Sequence, residues 1–156
     1  MNRSEYVEIL VTAYKGELYG EAWFKDLIDH SQSQEIVQKF SAMVRLETKT
    51  KEKLLPLISR LGVTGIDEDE QRIKGRRLAQ ESIKLSWPAF IEWFKTEVIP
   101  FVELYDRLES IAPPEDRDVV VFLAQHERAL LEFARRESAG ESNTSLDPVL
   151  ALLNER

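Results

Sequence analysis

Apolar residues recur at three- and four-residue spacing through four long stretches of this chain, and no region reads as strand-rich. The first stretch carries Val7, Leu10, Tyr14, Phe24 and Ile28 on one face, which predicts a helix from the capping-box pair Asn2 and Glu5 to about Asp29. Ser31 with Gln34 repeats that signal, and Ile36, Phe40, Met43, Leu54 and Ile58 mark a second helix from about Gln34 to Leu61. Pro56 should kink it, and Gly62 is placed to end it. A third helix should start near Pro88 and run to about Ser110 past an internal Pro100, with Phe90, Trp93, Phe94, Phe101, Leu104 and Leu108 as its stripe. The "APPED" segment interrupts the chain before a fourth helix, from about Pro114 to Ala139, that stops at Gly140. The polar connection after Gly62 contains a further capping pair, Asp67 and Glu70, and predicts a short helix over about 68–84. The final "ESNTSLDPVLALL" reads as a loop and a short terminal helix.

Two short links and one long central crossover between four helices predict an all-α, four-helix bundle formed as a single domain over residues 1–156. Its apolar faces contain an anomaly. On a wheel centred on Leu123, His126 lies roughly 60° to one side and Glu127 roughly 40° to the other, both on the face that should be core. Glu21 sits near the centre of the first stripe with Glu17 one turn earlier, Glu47 near the middle of the second with Thr50 also inward, and Glu97 among the aromatic residues of the third. Antiparallel packing would bring these midpoints to one height, so Glu17, Glu21, Glu47, Glu97, His126 and Glu127 are candidates for one internal site. Uncompensated burial of carboxylates costs several kcal/mol per ion, so such groups are protonated, paired with cations or bound to metal. Carboxylate oxygens with an imidazole suit iron, manganese or zinc.

In this respect the residues resemble the ferritin-like di-iron carboxylate superfamily, whose helices carry Glu, Glu-x-x-His, Glu and Glu-x-x-His in turn. The resemblance covers about residues 5–138. It implies a ferritin-like bundle in which Glu21, Glu47, Glu97 and His126 are the ligands of the first to fourth long helices, binding iron or manganese for redox or oxygen chemistry. Thr50 stands where the family's second-helix histidine would be, and Leu123 where its fourth-helix glutamate would be. Glu127, also on the apolar side, is the residue that would replace the missing carboxylate.

The same residues support a plainer reading. Lys25 and Lys51 each follow a candidate carboxylate by four residues, so Glu21–Lys25 and Glu47–Lys51 pairs would leave a metal-free bundle serving as a ligand-binding or protein-interaction module. Glu97 has no such partner on its own helix. His126 would then be a core imidazole hydrogen-bonded to a carboxylate, and His30 a residue favoured by the helix C-terminal dipole. Tyr14, Trp23, Trp87 and Trp93 are read as packing. Gly16 and Gly20 form a small pair away from the carboxylate face, suited to close approach by the crossover helix or by a second copy of the chain in a homodimer.

Composition narrows the classes. There is no cysteine, hence no disulfide or thiolate metal site, and the absence of a long apolar run or signal-peptide core makes a cytoplasmic protein without a membrane span the expectation. A net charge of −7 argues against nucleic acid as partner. The one basic cluster, "RIKGRR", follows the acidic "DEDE" and reads as the solvated crossover helix with acids near its start. No phosphate-binding glycine loop, G-x-S-x-G elbow or H-E-x-x-H motif is present. A metal-dependent oxidoreductase is the enzyme class left open, and the aromatic residues around Glu97 suggest a small apolar substrate.

Overall fold

Six α-helices and one 3-10 turn organise the residues that the computed structural model of the chain describes, 3–155, and no strand occurs among them. The chain divides into two compact units, Met1–Lys84 and Leu85–Arg156.

In the first unit, α1 (Arg3–Asp29) packs against both α2 (Gln34–Arg60) and α3 (Glu68–Ser82). Asn2, half of the expected first capping box, lies outside the described residues. Ser33, not Ser31, caps α2. Its backbone is extended and its hydroxyl accepts from the Ile36 N–H at 3.3 Å, whereas the Ser31 N–H donates to the Ile28 carbonyl at 3.2 Å and so belongs to the end of α1. A cap must immediately precede the first helical residue, and Ser31 stands too early. Helix α2 runs on through Pro56, and Gly62, at φ 74°, lets the Val63 N–H return to the Ile58 carbonyl at 3.3 Å. Asp67 caps α3 by accepting from the Glu70 N–H at 3.0 Å, as its spacing predicts.

Helices α1 and α3 approach closely at Gly75, where a Cβ would stand 2.3 Å from the Tyr19 carbonyl oxygen. Two side-chain bonds flank that contact. Tyr14 donates to Glu68 and the Trp23 indole N–H to the Ser82 hydroxyl, each at 3.0 Å. Across α1 and α2, Phe24 lies against Phe40 with ring centroids 5.8 Å apart.

In the second unit, α4 (Trp87–Ile111) packs on α5 (Arg117–Ser138), which also carries α6 (Asp147–Leu153). Ser86 caps α4 and Pro88 occupies its first turn. Pro114–Asp116, expected as the start of the fourth long helix, forms the 3-10 turn instead, closed by the Asp116 N–H on the Pro113 carbonyl at 3.0 Å. Short 3-10 turns are frequent at the N-terminus of an α-helix, and this one runs directly into α5 at Arg117. Gly140, at φ 78°, ends α5 with the Glu141 N–H on the Arg136 carbonyl at 2.8 Å. Phe94 meets Phe133 edge-on, and the Trp87 indole donates to Glu137 at 2.8 Å, so this aromatic run is structural, as its spacing suggests. No helix among the described residues is long and apolar enough to cross a membrane.

Candidate metal centre

Helix periodicity carries three chemically versatile side chains into buried positions. Glu17 on α1 follows Ala13 by four residues and Tyr14 by three, and both are buried. Glu47 on α2 follows Met43 by four and precedes Leu54 by seven. His126 on α5 lies between the buried Leu123 and Leu130 at the same spacings. Glu17, Glu47 and His126 are 2%, 5% and 0% exposed. Each offers one ligand atom, these atoms all lie within 4.8 Å of one another, and the group could hold a metal ion. Glu17 Oε2 and His126 Nε2 are sealed from solvent. Hard carboxylate oxygens with one borderline imidazole nitrogen form a donor set suited to a divalent first-row metal.

No family model, curated protein or solved structure matches this chain.

The remaining candidates are placed differently. Glu21 is buried, yet its carboxylate is occupied: Lys51 donates to both oxygens, at 3.0 and 3.1 Å, the Thr48 hydroxyl donates to Oε2, and Lys25 stands 3.6 Å away. Burial alone would raise the Glu21 pKa, but Thr48 and Lys51, with Lys25 adding less, hold it below the usual carboxylate range. Glu21–Lys25 is therefore the expected pair, whereas Lys51 crosses to α1 instead of joining Glu47 on its own helix.

Glu97, expected inward, is exposed. The buried face of α4 is Phe90, Ile91, Phe94, Val98, Tyr105 and Leu108, and Glu97 projects roughly 70° from its centre. The apolar pattern centres the stripe wrongly because it includes Trp93 and Leu104, which are half-buried, and leaves out Ile91, Val98 and Tyr105, which are buried on the other side of the face. Glu127 is half-buried and outside the Glu17, Glu47 and His126 group. Thr50, inward as expected, turns its hydroxyl to the Leu46 carbonyl of its own helix at 2.9 Å. His30 is exposed and bonds the Asp26 carbonyl through Nδ1 at 2.8 Å, a C-terminal role consistent with its position.

Gly20, expected away from the carboxylates, lies against one. A Cβ there would stand 2.7 Å from Glu47 Oε1, 2.8 Å from Cδ and 3.1 Å from Oε2. Thr48 and Lys51, as neighbours of Glu21, are equally absent from the sequence-based expectations. The available signal is a glycine facing a polar run, which a single-helix wheel does not convert into a contact.

Proposed function

We propose that the protein binds one divalent transition-metal ion, iron or manganese, on Glu17, Glu47 and His126, and uses it for redox or oxygen chemistry. The observation that carries this reading is the meeting of three buried ligand atoms, two oxygens and one nitrogen, within 4.8 Å. Two carboxylates offset the charge of a divalent cation, and the cation in turn offsets the cost of keeping both carboxylates out of water. Three protein ligands leave coordination positions for water or substrate, which suits a reactive site better than a closed structural one. A bound iron or manganese ion would supply the electron chemistry, while the chain's own residues fix its position and exclude solvent. One ion fits better than two, because Glu97 is exposed and Glu21 is held by Lys51 and Thr48.

A second reading, a metal-free bundle acting as a binding or interaction module, is favoured by one observation: Glu21 is neutralised by lysine with no metal required. Elemental analysis of protein purified without chelator, paired with thermal unfolding in chelator, separates the two. The metal reading expects near-stoichiometric iron or manganese and a melting temperature that chelator lowers and added metal restores. Background metal and an unchanged melting temperature would establish the second.

A further inference from the structure

We propose that Gly20 and Glu21 act together as a positioning pair for Glu47, Gly20 by leaving the volume that the Glu47 carboxylate fills and Glu21 by gripping α2 in the turn that follows it. The inference rests on the metal reading of Glu47 and adds what sets that ligand's place. Both halves lie within the first compact unit, where α1 and α2 pack together. The three atoms nearest to where a Cβ would stand at Gly20 are all from the Glu47 side chain, at 2.7, 2.8 and 3.1 Å, closer than ordinary contact allows. No backbone atom is among them. An alanine there would displace the carboxylate and leave the helices where they are. Glycine is otherwise a poor choice inside a helix, and Gly20 lies deep within the 27 residues of α1.

Glu21 supplies the complementary restraint. It accepts from Thr48, the residue after Glu47, and from Lys51, one turn further along α2. These bonds hold the register of α2 against α1 at the turn where Glu47 faces Gly20. Adjacent residues of α1 thus do different work on adjacent residues of α2: Gly20 receives Glu47, and Glu21 binds Thr48.

The test is a double-mutant cycle with Gly20→Ala and Glu47→Ala, read by thermal unfolding in chelator and by Mn2+ titration. In chelator, Gly20→Ala should lower the melting temperature of the parent yet raise it in the Glu47→Ala background, where the space is free and alanine is the better helix former. The full-length Gly20→Ala protein should remain folded and bind Mn2+ roughly ten- to a hundredfold more weakly. Equal stabilisation by Gly20→Ala in both backgrounds overturns the proposal, because Glu47 would not be using the space. Coupled stability with unchanged Mn2+ affinity overturns it too, since the seat would then serve no ligand. A parent that binds no Mn2+ refutes the metal reading itself, and the cycle in chelator still reports separately whether Glu47 occupies the Gly20 site. If Glu47→Ala fails to fold, Glu47→Asp takes its place, since it withdraws the carboxylate by one methylene and should relieve the Gly20→Ala defect in chelator.

Discussion

Lys51 on α2 holds both carboxylate oxygens of Glu21 on α1, at 3.0 and 3.1 Å, while Lys25, one turn from Glu21 on its own helix, stands at 3.6 Å with 60% of its side chain exposed. The two lysines are alike in sequence and unlike in worth. A charge-assisted bond at a shielded carboxylate contributes about 1.5–3 kcal/mol, and an exposed i,i+4 pair about 0.3–0.5 kcal/mol. Lys51→Met should therefore cost about 2 kcal/mol in urea unfolding and Lys25→Met no more than about 0.5 kcal/mol. Equal losses would show that Glu21 is neutralised by whichever cation is nearest, with no preferred geometry.

The same carboxylate sets a pH dependence. Thr48 and Lys51 depress its folded-state pKa against the opposing effect of burial, so near that pKa the folded chain binds fewer protons here than the unfolded chain does. Its contribution is complete above the unfolded carboxylate value of about 4.3 and is lost as pH falls through the lower, folded value. Parent and Glu21→Gln should differ in stability at pH 7 and converge as pH drops below about 4. A gap that stays constant over this range would place the origin of the effect in packing.

Helix bounds are legible in the sequence because caps and stops are local chemistry. Asp67, Gly62 and Gly140 do what their residue types predict, and the discrepancies at Ser31 and Pro114 are shifts of two or three residues. The site is legible in part. Glu47 and His126 stand out as polar residues on apolar faces, but choosing Glu17 over Glu21 depends on what the neighbouring helix presents, and Lys51 and Thr48 lie about thirty positions from Glu21 in the chain. Glu97 misleads for a different reason. Several apolar residues on α4 compete to define its face, and the half-buried Trp93 and Leu104 draw the stripe toward Glu97 and away from the buried Ile91, Val98 and Tyr105.

Gly75 offers a test of the α1 and α3 contact that is independent of the candidate site. A Cβ at this position would meet the Tyr19 carbonyl oxygen at 2.3 Å and the Trp23 backbone nitrogen at 3.0 Å, and backbone cannot rotate away as a side chain end can. Gly75→Ala gains up to about 1 kcal/mol of helix propensity but forces the two helices apart. A net loss of about 1–3 kcal/mol is expected in chemical denaturation. Stabilisation instead would mean that α3 can shift on α1 without losing the Tyr14–Glu68 and Trp23–Ser82 bonds.

His126 separates the metal reading from a structural one most directly, because it is the single nitrogen donor of the group and is wholly buried. Metal at a hundredfold excess over Kd stabilises a protein by about 2.7 kcal/mol, which for a chain of this size is roughly 5–10 °C in Tm. In the parent that increment should appear on adding Mn2+ and vanish in chelator. His126→Leu replaces the imidazole with an apolar side chain, which removes the polar group together with its need for a partner, so in chelator the variant should unfold within a few degrees of the parent. The Mn2+ increment should be absent from the variant at every pH. In the parent it should shrink as pH falls, since protons compete with metal for the imidazole and for both carboxylates. A variant that loses the same number of degrees with and without Mn2+ would mark His126 as a structural hydrogen-bonding residue, and the buried carboxylates would then belong to a metal-free bundle.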